Sequence, residues 1–361
     1  MIPRGTMSRR ALLVAGGAAA AAGSVAPLAS WAAPKAPAIP RIDPLSLVAP
    51  ELRTPLERYR KDEGDYPITS ANLAQIRKQS MASLPAHTIP YEKRSIRGSN
   101  GAPDVGVFVI NAAASGRPRP AILHMHGGGF IAGTVDEVVP KLQRIAREHD
   151  CVIVTVDYRL APETRFPGSL EDNYAALRWL HGSAESLGVN ASRIVVMGES
   201  AGGGHAAMLA IAARDRGEVP IAYQLLIYPM LDDRTGSLRQ VPPFIGSYIW
   251  VPASNRFGWT SLLGVPAGSA VVPAGAVPAR VESLAGLAPA FIGVGSIDLF
   301  VGEDVDYARR LIDSGVPTEL CVVPGGYHGF DIIAPDASVS KAFRATWSAA
   351  LAKALHASAG A

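Results

Sequence analysis

The sequence predicts an α/β fold in which helices flank a mostly parallel central sheet. β-branched and apolar runs alternate along the chain with segments of helical spacing, a pattern typical of repeated strand–helix–strand units. The chain has 361 residues, of which 48% are hydrophobic and 18% are charged, so it can bury a large core. Polar residues that could carry chemistry follow several predicted strands, where a parallel sheet presents its functional loops. A single α/β domain with a smaller cap fits this length.

The N-terminal segment predicts export. Arg9 and Arg10 directly precede an uncharged stretch of Ala, Gly, Leu and Val, a pattern that resembles a twin-arginine signal peptide over residues 1–32. The stretch is too short and too weakly hydrophobic to predict a membrane span. We therefore expect an exported chain, periplasmic or secreted, without stable membrane insertion; a cytoplasmic tail or an uncleaved anchor is the alternative. Residues 33–53 are rich in Pro and Ala and predict an extended linker.

The rest of the chain predicts helices and strands in alternation. Helical spacing predicts helices over 54–61, 70–81, 136–149, 170–181 and 200–214. β-branched and apolar runs predict strands over 88–96, 105–110, 121–126, 151–156, 192–197, 289–298 and 318–323. The formal net charge is +3 and no Lys or Arg run stands out beyond the N-terminus, so we expect no nucleic-acid partner.

Ser200 is the candidate nucleophile. It lies in the sequence Gly-Glu-Ser-Ala-Gly over 198–202, where the predicted strand 192–197 changes into a helix of small residues. A strand that turns sharply into a helix strains its turn residue, and the flanking glycines allow strand and helix to approach closely. The hydroxyl then projects outward. The alternative for this stretch is a flexible glycine loop.

Two later segments supply a candidate acid and a candidate base. Asp298 ends a predicted buried strand, and His328 lies in a glycine-containing loop that follows the strand 318–323. A serine needs a base to remove its proton and a third group to orient that base. Ser200, Asp298 and His328 follow each other in the order nucleophile, acid and base. The alternative for His328 is a solvated or capping histidine.

Three consecutive glycines follow the strand that begins at residue 121. Acyl transfer passes through an oxyanion, and unobstructed backbone amides stabilise it by about 2.7–4 kcal/mol per donor. Gly128 and Gly129, with the amide of Ala201, could supply these donors. The same stretch also fits a dinucleotide fingerprint through Gly127, Gly129 and Ala132, but no helix clearly follows the glycines, so we expect no cofactor.

Taken together, these motifs resemble the hormone-sensitive-lipase-like family (bacterial family IV) of α/β-hydrolase esterases. Four stretches carry the resemblance: His-Gly-Gly-Gly-Phe at 126–130, Asp-Tyr-Arg-Leu-Ala-Pro-Glu at 157–163, Gly-Glu-Ser-Ala-Gly-Gly at 198–203 and Tyr-His-Gly-Phe at 327–330. The match runs from about residue 88 to the C-terminal helix. The resemblance implies the α/β-hydrolase fold with an N-terminal helical cap.

The resemblance also implies catalytic roles. It makes Ser200 the nucleophile, His328 the general base and then acid, and Asp298 the residue that orients His328. The oxyanion hole is then formed by the amides of Gly128, Gly129 and Ala201. The chain departs from the family after Asp298, where Leu-Phe-Val replaces the more usual Pro-Leu.

Supporting residues follow from the same resemblance. His126 and Gly127 support the glycine loop, and Glu199 occupies a position where the family more often has Asp or Thr. Phe130 and Tyr327 are expected to line the substrate pocket beneath the cap. His126 is not expected to be the catalytic base.

The catalytic domain is predicted to span 54–361, with a cap formed by 54–87 and by the aromatic segment 232–252. Ordinary packing against the core is the alternative for 232–252. Cys151 and Cys321 lie on predicted buried strands that the resemblance separates in the sheet, so we expect two free thiols. The strand 318–323 lies at a sheet edge by the same resemblance and could pair in a homodimer.

Two further polar groups have alternative explanations. His124 and His126 lie two residues apart on a strand, but without a third ligand at suitable spacing we expect no metal. Asp157, Arg159 and Glu163 could hydrogen-bond one another as a structural clamp.

The sequence therefore predicts a serine carboxylic-ester hydrolase that acts on small-molecule esters through an acyl-enzyme. By resemblance we expect short to medium acyl chains. Two alternatives stay open: an acyltransferase on the same scaffold, and a catalytically silent homologue that binds a ligand.

Overall fold

The computed structural model describes residues 42–64, 66–82, 91–113 and 116–356. The predicted signal peptide and the first part of the predicted linker, up to residue 41, lie outside the described residues. So do residues 83–90, which include the start of one predicted strand and the end of the predicted cap segment. The residues that are described belong to one compact unit.

An eight-stranded, mostly parallel sheet forms the centre of the fold. Its strands are β1 Tyr91–Ile96, β2 Val105–Ile110, β3 Arg119–Met125, β4 Val152–Asp157, β5 Val189–Glu199, β6 Tyr223–Ile227, β7 Ala290–Gly295 and β8 Thr318–Val323. The strand order is β1-β2-β4-β3-β5-β6-β7-β8. Only the pairs β1–β2 and β2–β4 are antiparallel within the described sheet. The predicted fold class is thus confirmed.

Helices cover both faces of the sheet. In the described part of the chain they are α1 Pro44–Leu47, α2 Pro50–Glu63, α3 Leu73–Ala82, α4 Val135–Glu148, α5 Gly168–Gly182, α6 Ala184–Leu187, α7 Ala201–Arg216, α8 Pro252–Leu263, α9 Val301–Asp313, α10 Phe330–Ile333 and α11 Ser338–His356. Apolar residues of α5, α7 and α9 pack on one face, and those of α2, α4 and α11 pack on the other. Burial on both faces explains why the central strands are continuous apolar runs.

The sequence prediction missed β6 and the helices α8 and α9. β6 has only five residues, YQLLI. A short apolar run of this kind does not distinguish a buried strand from part of a helix by periodicity alone. β6 nevertheless lies between β5 and β7, and so it sets the spacing between the strands that precede Ser200 and Asp298.

The edge strand β8 corrects one prediction. Cys321 was expected to be buried, but it is only partly buried, because β8 is the last strand of the described sheet and pairs there with β7 alone. Cys151 on β4 is buried, and both cysteines are free thiols, as predicted. Strands β4 and β8 occupy the third and eighth places in the sheet, which keeps the two sulfur atoms apart.

The predicted linker boundary is also corrected. Residues 44–53 were expected to be an extended connector, but they form α1 and the first turn of α2. Val48, Leu52 and Leu56 recur every fourth residue and are at most 1% exposed, so this stripe packs against the main core. Pro50 stands at the first position of α2, where its missing N–H costs nothing.

The predicted cap segment 232–252 contains turns and no regular helix up to residue 251, and α8 begins at its last residue, Pro252. Its first part is held by ion pairs from Asp232 to Arg234 and Arg239. Its last part carries Tyr248 and Trp250, which are buried near the loop that holds His328. Over the described ranges, no helix has the length and apolar character needed to cross a membrane.

Candidate active site

The turn between β5 and α7 holds Ser200 in an unusual backbone conformation. Its φ is 56° and its ψ is −123°. Its N–H donates to the carbonyl of Ile227 at 2.9 Å, and its own carbonyl accepts from Met230 at 3.0 Å. These bonds tie the turn to the chain that leaves β6, and they stabilise a conformation that a non-glycine residue rarely adopts.

Flanking glycines allow the close approach of strand and helix at this turn. A Cβ at Gly198 would lie 2.3 Å from the carbonyl oxygen of Gly202, and a Cβ at Gly202 would lie 2.1 Å from that of Met125. No side chain fits in either place without moving the backbone. The Gly-x-Ser-x-Gly pattern is therefore a steric requirement of this fold.

The structure brings Ser200, His328 and Asp298 together in one hydrogen-bonded series. His328 Nε2 lies 2.9 Å from Ser200 Oγ, and His328 Nδ1 lies 2.8 Å from Asp298 Oδ2. The other oxygen, Asp298 Oδ1, accepts from the N–H of Phe300 at 3.0 Å. A carboxylate that accepts from Nδ1–H leaves Nε2 free to accept the serine proton. The side chains are contributed by the ends of β5, β7 and β8.

Aromatic rings surround the imidazole of His328. Tyr228 and Phe300 meet it edge-on with ring centroids at 4.9 and 5.1 Å, and Trp250 lies at 6.5 Å. Such an environment limits the access of water to the hydrogen bonds of His328. The sequence pointed to Trp250 through the aromatic segment 232–252. Tyr228 was missed because the preceding strand β6 was missed.

The glycine loop after β3 has an uncommon backbone shape. Three consecutive residues have positive φ values: 119° at Gly128, 63° at Gly129 and 68° at Phe130. A left-handed conformation costs a non-glycine residue on the order of 1–3 kcal/mol, so the surroundings must hold Phe130 in place. A Cβ at Gly127 would lie 3.4 Å from Ser200 Cβ, which shows how closely the loop approaches the serine.

The ring of Trp250 covers Gly129. A Cβ at Gly129 would lie 2.1 Å from that ring. The glycines do not open a helix directly, because α4 begins only at Val135. This arrangement differs from the glycine-to-helix turn that binds a pyrophosphate.

His126 lies behind the glycine loop and supports it. Its Nδ1 is 2.7 Å from the carbonyl oxygen of Gly127, and the hydroxyl of Tyr158 donates to the His126 carbonyl at 2.7 Å. The two rings stack with centroids 4.3 Å apart. Burial lowers the pKa of His126 to about 4, so the ring is neutral near pH 7 and its Nδ1–H donates to Gly127.

Glu199 joins two strands and a helix next to Ser200. Its Oε2 lies 2.9 Å from His124 Nε2 and its Oε1 lies 2.5 Å from Lys141 Nζ, while His124 Nδ1 lies 2.9 Å from Thr155 Oγ1. Burial opposes ionisation of Glu199, but Lys141 and His124 together hold its pKa below the usual range. Both nitrogens of His124 are thus engaged within the protein.

Phe130 and Tyr327 have packing roles. The Phe130 ring is 1% exposed and meets His205 and Trp259 edge-on, each with centroids at 4.9 Å. Tyr327 is fully buried, with its ring 6.3 Å from that of Tyr248. Contact of either ring with a substrate stays a prediction.

The predicted clamp among Asp157, Arg159 and Glu163 is wrong. Arg159 pairs with Asp172 at 2.7 Å, and Glu163 pairs with Arg77 at 2.8 Å. Both true partners lie on helices, α5 and α3, that the local spacing of the motif does not reveal.

Comparison with known proteins shows that this chain is similar to esterases of the α/β-hydrolase fold. Residues 122–332 match the α/β-hydrolase fold. Esterase LipI of Mycobacterium tuberculosis is 33% identical over 272 residues, which cover 72% of this chain and 83% of LipI. Carboxylesterase NlhH of the same species is 32% identical over 311 residues, which cover 80% of this chain and 92% of NlhH. The structure of a bacterial heroin esterase aligns with a TM-score of 0.78 and 33% identity, covering 87% of this chain and all of that one.

The fold and the Ser–His–Asp geometry define an α/β hydrolase. The chain belongs to the hormone-sensitive-lipase-like family of α/β-hydrolase esterases, bacterial family IV. The predicted enzyme class, carboxylesterase, is confirmed by these relatives.

Proposed function

We propose that the protein is a serine carboxylesterase that cleaves small esters of short to medium acyl chain length through an acyl-enzyme. The observation that carries this proposal is the unbroken hydrogen-bonded series from Ser200 Oγ through His328 to Asp298. Each group stands at the distance that proton transfer and orientation require.

Acylation begins at the ester carbonyl. Ser200 Oγ forms a bond to the carbonyl carbon while His328 Nε2 takes the hydroxyl proton, and the carbonyl electron pair moves to oxygen. The tetrahedral intermediate collapses, the bond to the leaving alcohol breaks, and His328 returns the proton to that alcohol. The buried Asp298 carboxylate stabilises the imidazolium that exists between these two steps.

Deacylation repeats the same proton transfers with water. His328 removes a proton from a water molecule whose oxygen attacks the acyl carbon, and then returns a proton to Ser200 Oγ as the acid leaves. The amides of Gly128, Gly129 and Ala201 are the proposed donors to the oxyanion in both halves of the reaction. The closeness of Gly127 to Ser200 supports this assignment, because it brings the loop beside the reacting oxygen.

The preference for small, apolar acyl groups rests on the enclosure of the site. Rings of Trp250, Tyr228 and Phe300 surround His328 and present apolar surface beside the serine. The resemblance to family IV esterases also supports a preference for short to medium acyl chains.

Hydrolysis of p-nitrophenyl esters from acetate to palmitate tests the proposal. We expect the rate to be highest for short and medium chains, and S200A and H328A each to lower kcat by about 10³-fold or more while the fold is retained. S186A, which changes an exposed serine, is the matched control. Undiminished turnover in S200A or H328A contradicts the serine mechanism.

Added acceptor alcohols separate hydrolase from acyltransferase. A hydrolase releases mainly the free acid, whereas an acyltransferase forms the new ester in preference, because its pocket excludes water from the acyl-enzyme. Absence of turnover with any ester, combined with ligand binding, would favour the catalytically silent homologue.

We also propose that the chain is exported through a twin-arginine signal. The paired Arg9 and Arg10 before an uncharged apolar stretch support it. Replacement of both arginines by Lys should leave the protein in the cytoplasm of the producing cell. Unchanged export of that variant contradicts the proposal.

A further inference from the structure

One side chain of the cap binds the loop that carries the proposed oxyanion hole. Arg77 lies on α3, and its Nε donates to the carbonyl of Ile131 at 2.7 Å. Its Nη2 donates to the carbonyl of Ala161 at 2.8 Å. Ile131 follows directly after the three residues of positive φ, so Arg77 holds the point where the strained loop ends.

The guanidinium closes a ring of hydrogen bonds between two loops. Ala161 donates its N–H to the carbonyl of Phe130 at 2.9 Å and accepts from Arg77 through its own carbonyl. Arg77 also donates to the carbonyl of Ile131, which lies next to Phe130 in the glycine loop, and this completes the ring. The planar guanidinium places two donors, Nε and Nη2, at the two carbonyls at the same time. The ammonium group of Lys is a single point charge and lacks this geometry.

The loop needs this support because of its backbone conformation. Phe130 has a φ of 68° without being a glycine, and its side chain is locked in the core. Within the loop, the carbonyl of Gly128 accepts from Ile131 and from Ala132. The carbonyls of Phe130 and Ile131 instead accept from Ala161 and Arg77, so the loop depends on groups outside itself.

Glu163 forms an ion pair with Arg77 on the solvent side. Its carboxylate oxygens lie 2.8 and 3.0 Å from Arg77 Nη1 and Nη2, and its side chain is 63% exposed. An ion pair this exposed contributes little by itself. Loss of the Glu163 charge should therefore leave both carbonyl contacts of Arg77 intact.

We propose that Arg77 is a positioning residue that holds the oxyanion-hole loop in its reactive conformation. The inference rests on the proposed serine esterase function. It makes the cap helix α3 a part of the machinery that stabilises the oxyanion, in addition to any role as a cover. Arg77 acts through Ile131 and Ala161 and touches no reacting atom.

Three variants test the proposal. R77M removes the donors and keeps a long apolar side chain, R77K keeps the charge without the fork, and E163Q is the matched control. Each is assayed for kcat, KM, thermal stability and the inhibition constant of an alkyl trifluoromethyl ketone. This probe adds the serine hydroxyl to its carbonyl and so places an oxyanion in the hole.

We expect R77M to lower kcat about tenfold or more with KM changed less than about threefold, because the lost interaction acts in the transition state. The inhibition constant should rise by the same factor by which kcat/KM falls. R77K should fall between R77M and wild type, and E163Q should stay within about twofold of wild type. If R77M does not fold, the inhibition constant of R77K must rise by the same factor by which its kcat/KM falls.

Two results overturn the role of Arg77. The first is an R77M variant whose kcat and inhibition constant both equal those of wild type. The second is a folded variant in which kcat falls but the inhibition constant of the ketone does not rise to match. Failure of the serine mechanism itself has a different signature. In that case the ketone does not inhibit wild type and S200A stays active, whatever Arg77 does.

Discussion

Single residues at this site are held in conformations that their neighbours impose. Ser200 and Phe130 both have positive φ, at 56° and 68°. Ser200 is stabilised by backbone bonds to the chain that leaves β6, and Phe130 by its buried ring and by Ala161. Strain of this kind persists only where surrounding contacts outweigh it, and here the two strained segments lie close together, since a Cβ at Gly127 would be 3.4 Å from Ser200 Cβ.

His205 is a buried histidine whose two ring nitrogens have no hydrogen-bond partner among the described residues. Burial lowers its pKa to about 3, whereas an unfolded histidine has a pKa of about 6.5. The unfolded chain therefore binds more protons below pH 6.5. Stability from the neutral ring is fully present above that pH and is lost as the pH falls toward 3.

We predict that H205L flattens the acid side of the stability curve. Between pH 7 and pH 4 its melting temperature should fall less than that of wild type, because the apolar side chain cannot take up a proton. Thermal unfolding measured at a series of pH values checks this, with the exposed His356 changed to Gln as the control. Parallel curves for H205L and wild type would refute the assignment.

Glu199 is a buried carboxylate whose charge depends on two partners. Removing one partner of a buried pair leaves the other uncompensated, so K141M should lower the free energy of unfolding by about 3–5 kcal/mol. The double variant K141M/E199Q should lose less than the sum of the two single losses, because the amide carries no charge. Urea unfolding of the four proteins in the cycle measures this coupling. Strict additivity would show that Lys141 and Glu199 do not interact.

At the scale of elements, α2 is a packed part of the catalytic domain. Its apolar residues lie in the same core cluster as Tyr327 and Phe330, on either side of His328. In the first turn of α2, the Glu51 carboxylate accepts from the N–H groups of Ser338 and Val339 at 2.7 and 3.0 Å and so caps the start of α11. Helix α2 thereby supports the loop that holds His328, the proposed catalytic base.

We predict that L52A lowers the free energy of unfolding by about 2–5 kcal/mol, the usual cost of a cavity in a packed core. Leu52 is fully buried, whereas Glu57 on the opposite side of α2 is exposed, so E57A is the control. Chemical denaturation of both variants measures the difference. Equal and small effects would mean that α2 is only loosely attached, as the predicted linker implied.

At the scale of the whole molecule, β8 forms one edge of the sheet and has no second strand partner among the described residues. Leu320 and Val322 on this strand are 37% and 39% exposed, and Cys321 between them is partly buried. An exposed apolar edge strand is a template for pairing with a second chain. A homodimer through β8 therefore stays a prediction.

Light scattering coupled to size exclusion tests this prediction. We expect a dimer for wild type and a shift toward monomer for V322K, since a charge on an edge strand opposes pairing. V271K, at a residue that is 83% exposed elsewhere on the surface, should leave the mass unchanged. A monomeric wild type, or a V322K dimer of unaltered stability, contradicts the prediction.

Local patterns in the sequence determined the fold class and the residues of the proposed triad. Seven of the eight strands were predicted because β-branched runs between turns carry their own signal, and the eighth, β6, was too short to do so. Ser200, Asp298 and His328 were found because each follows a strand and because the order of the three is a property of the chain itself. The glycine loop was found for the same reason.

Only the tertiary structure decided which distant groups meet. Arg77 reaches Ile131 across 54 residues, His124 reaches Glu199 across 75, and the Trp250 ring covers Gly129. Helical or strand periodicity tells which face a residue occupies, but it does not tell which element lies opposite that face. The partner of Glu163 was mispredicted on this account, and the Pro- and Ala-rich composition of 33–53 concealed α1 and the first turn of α2. Contacts between distant segments depend on how the sheet and its helices assemble, and the local spacing of residues does not determine that assembly.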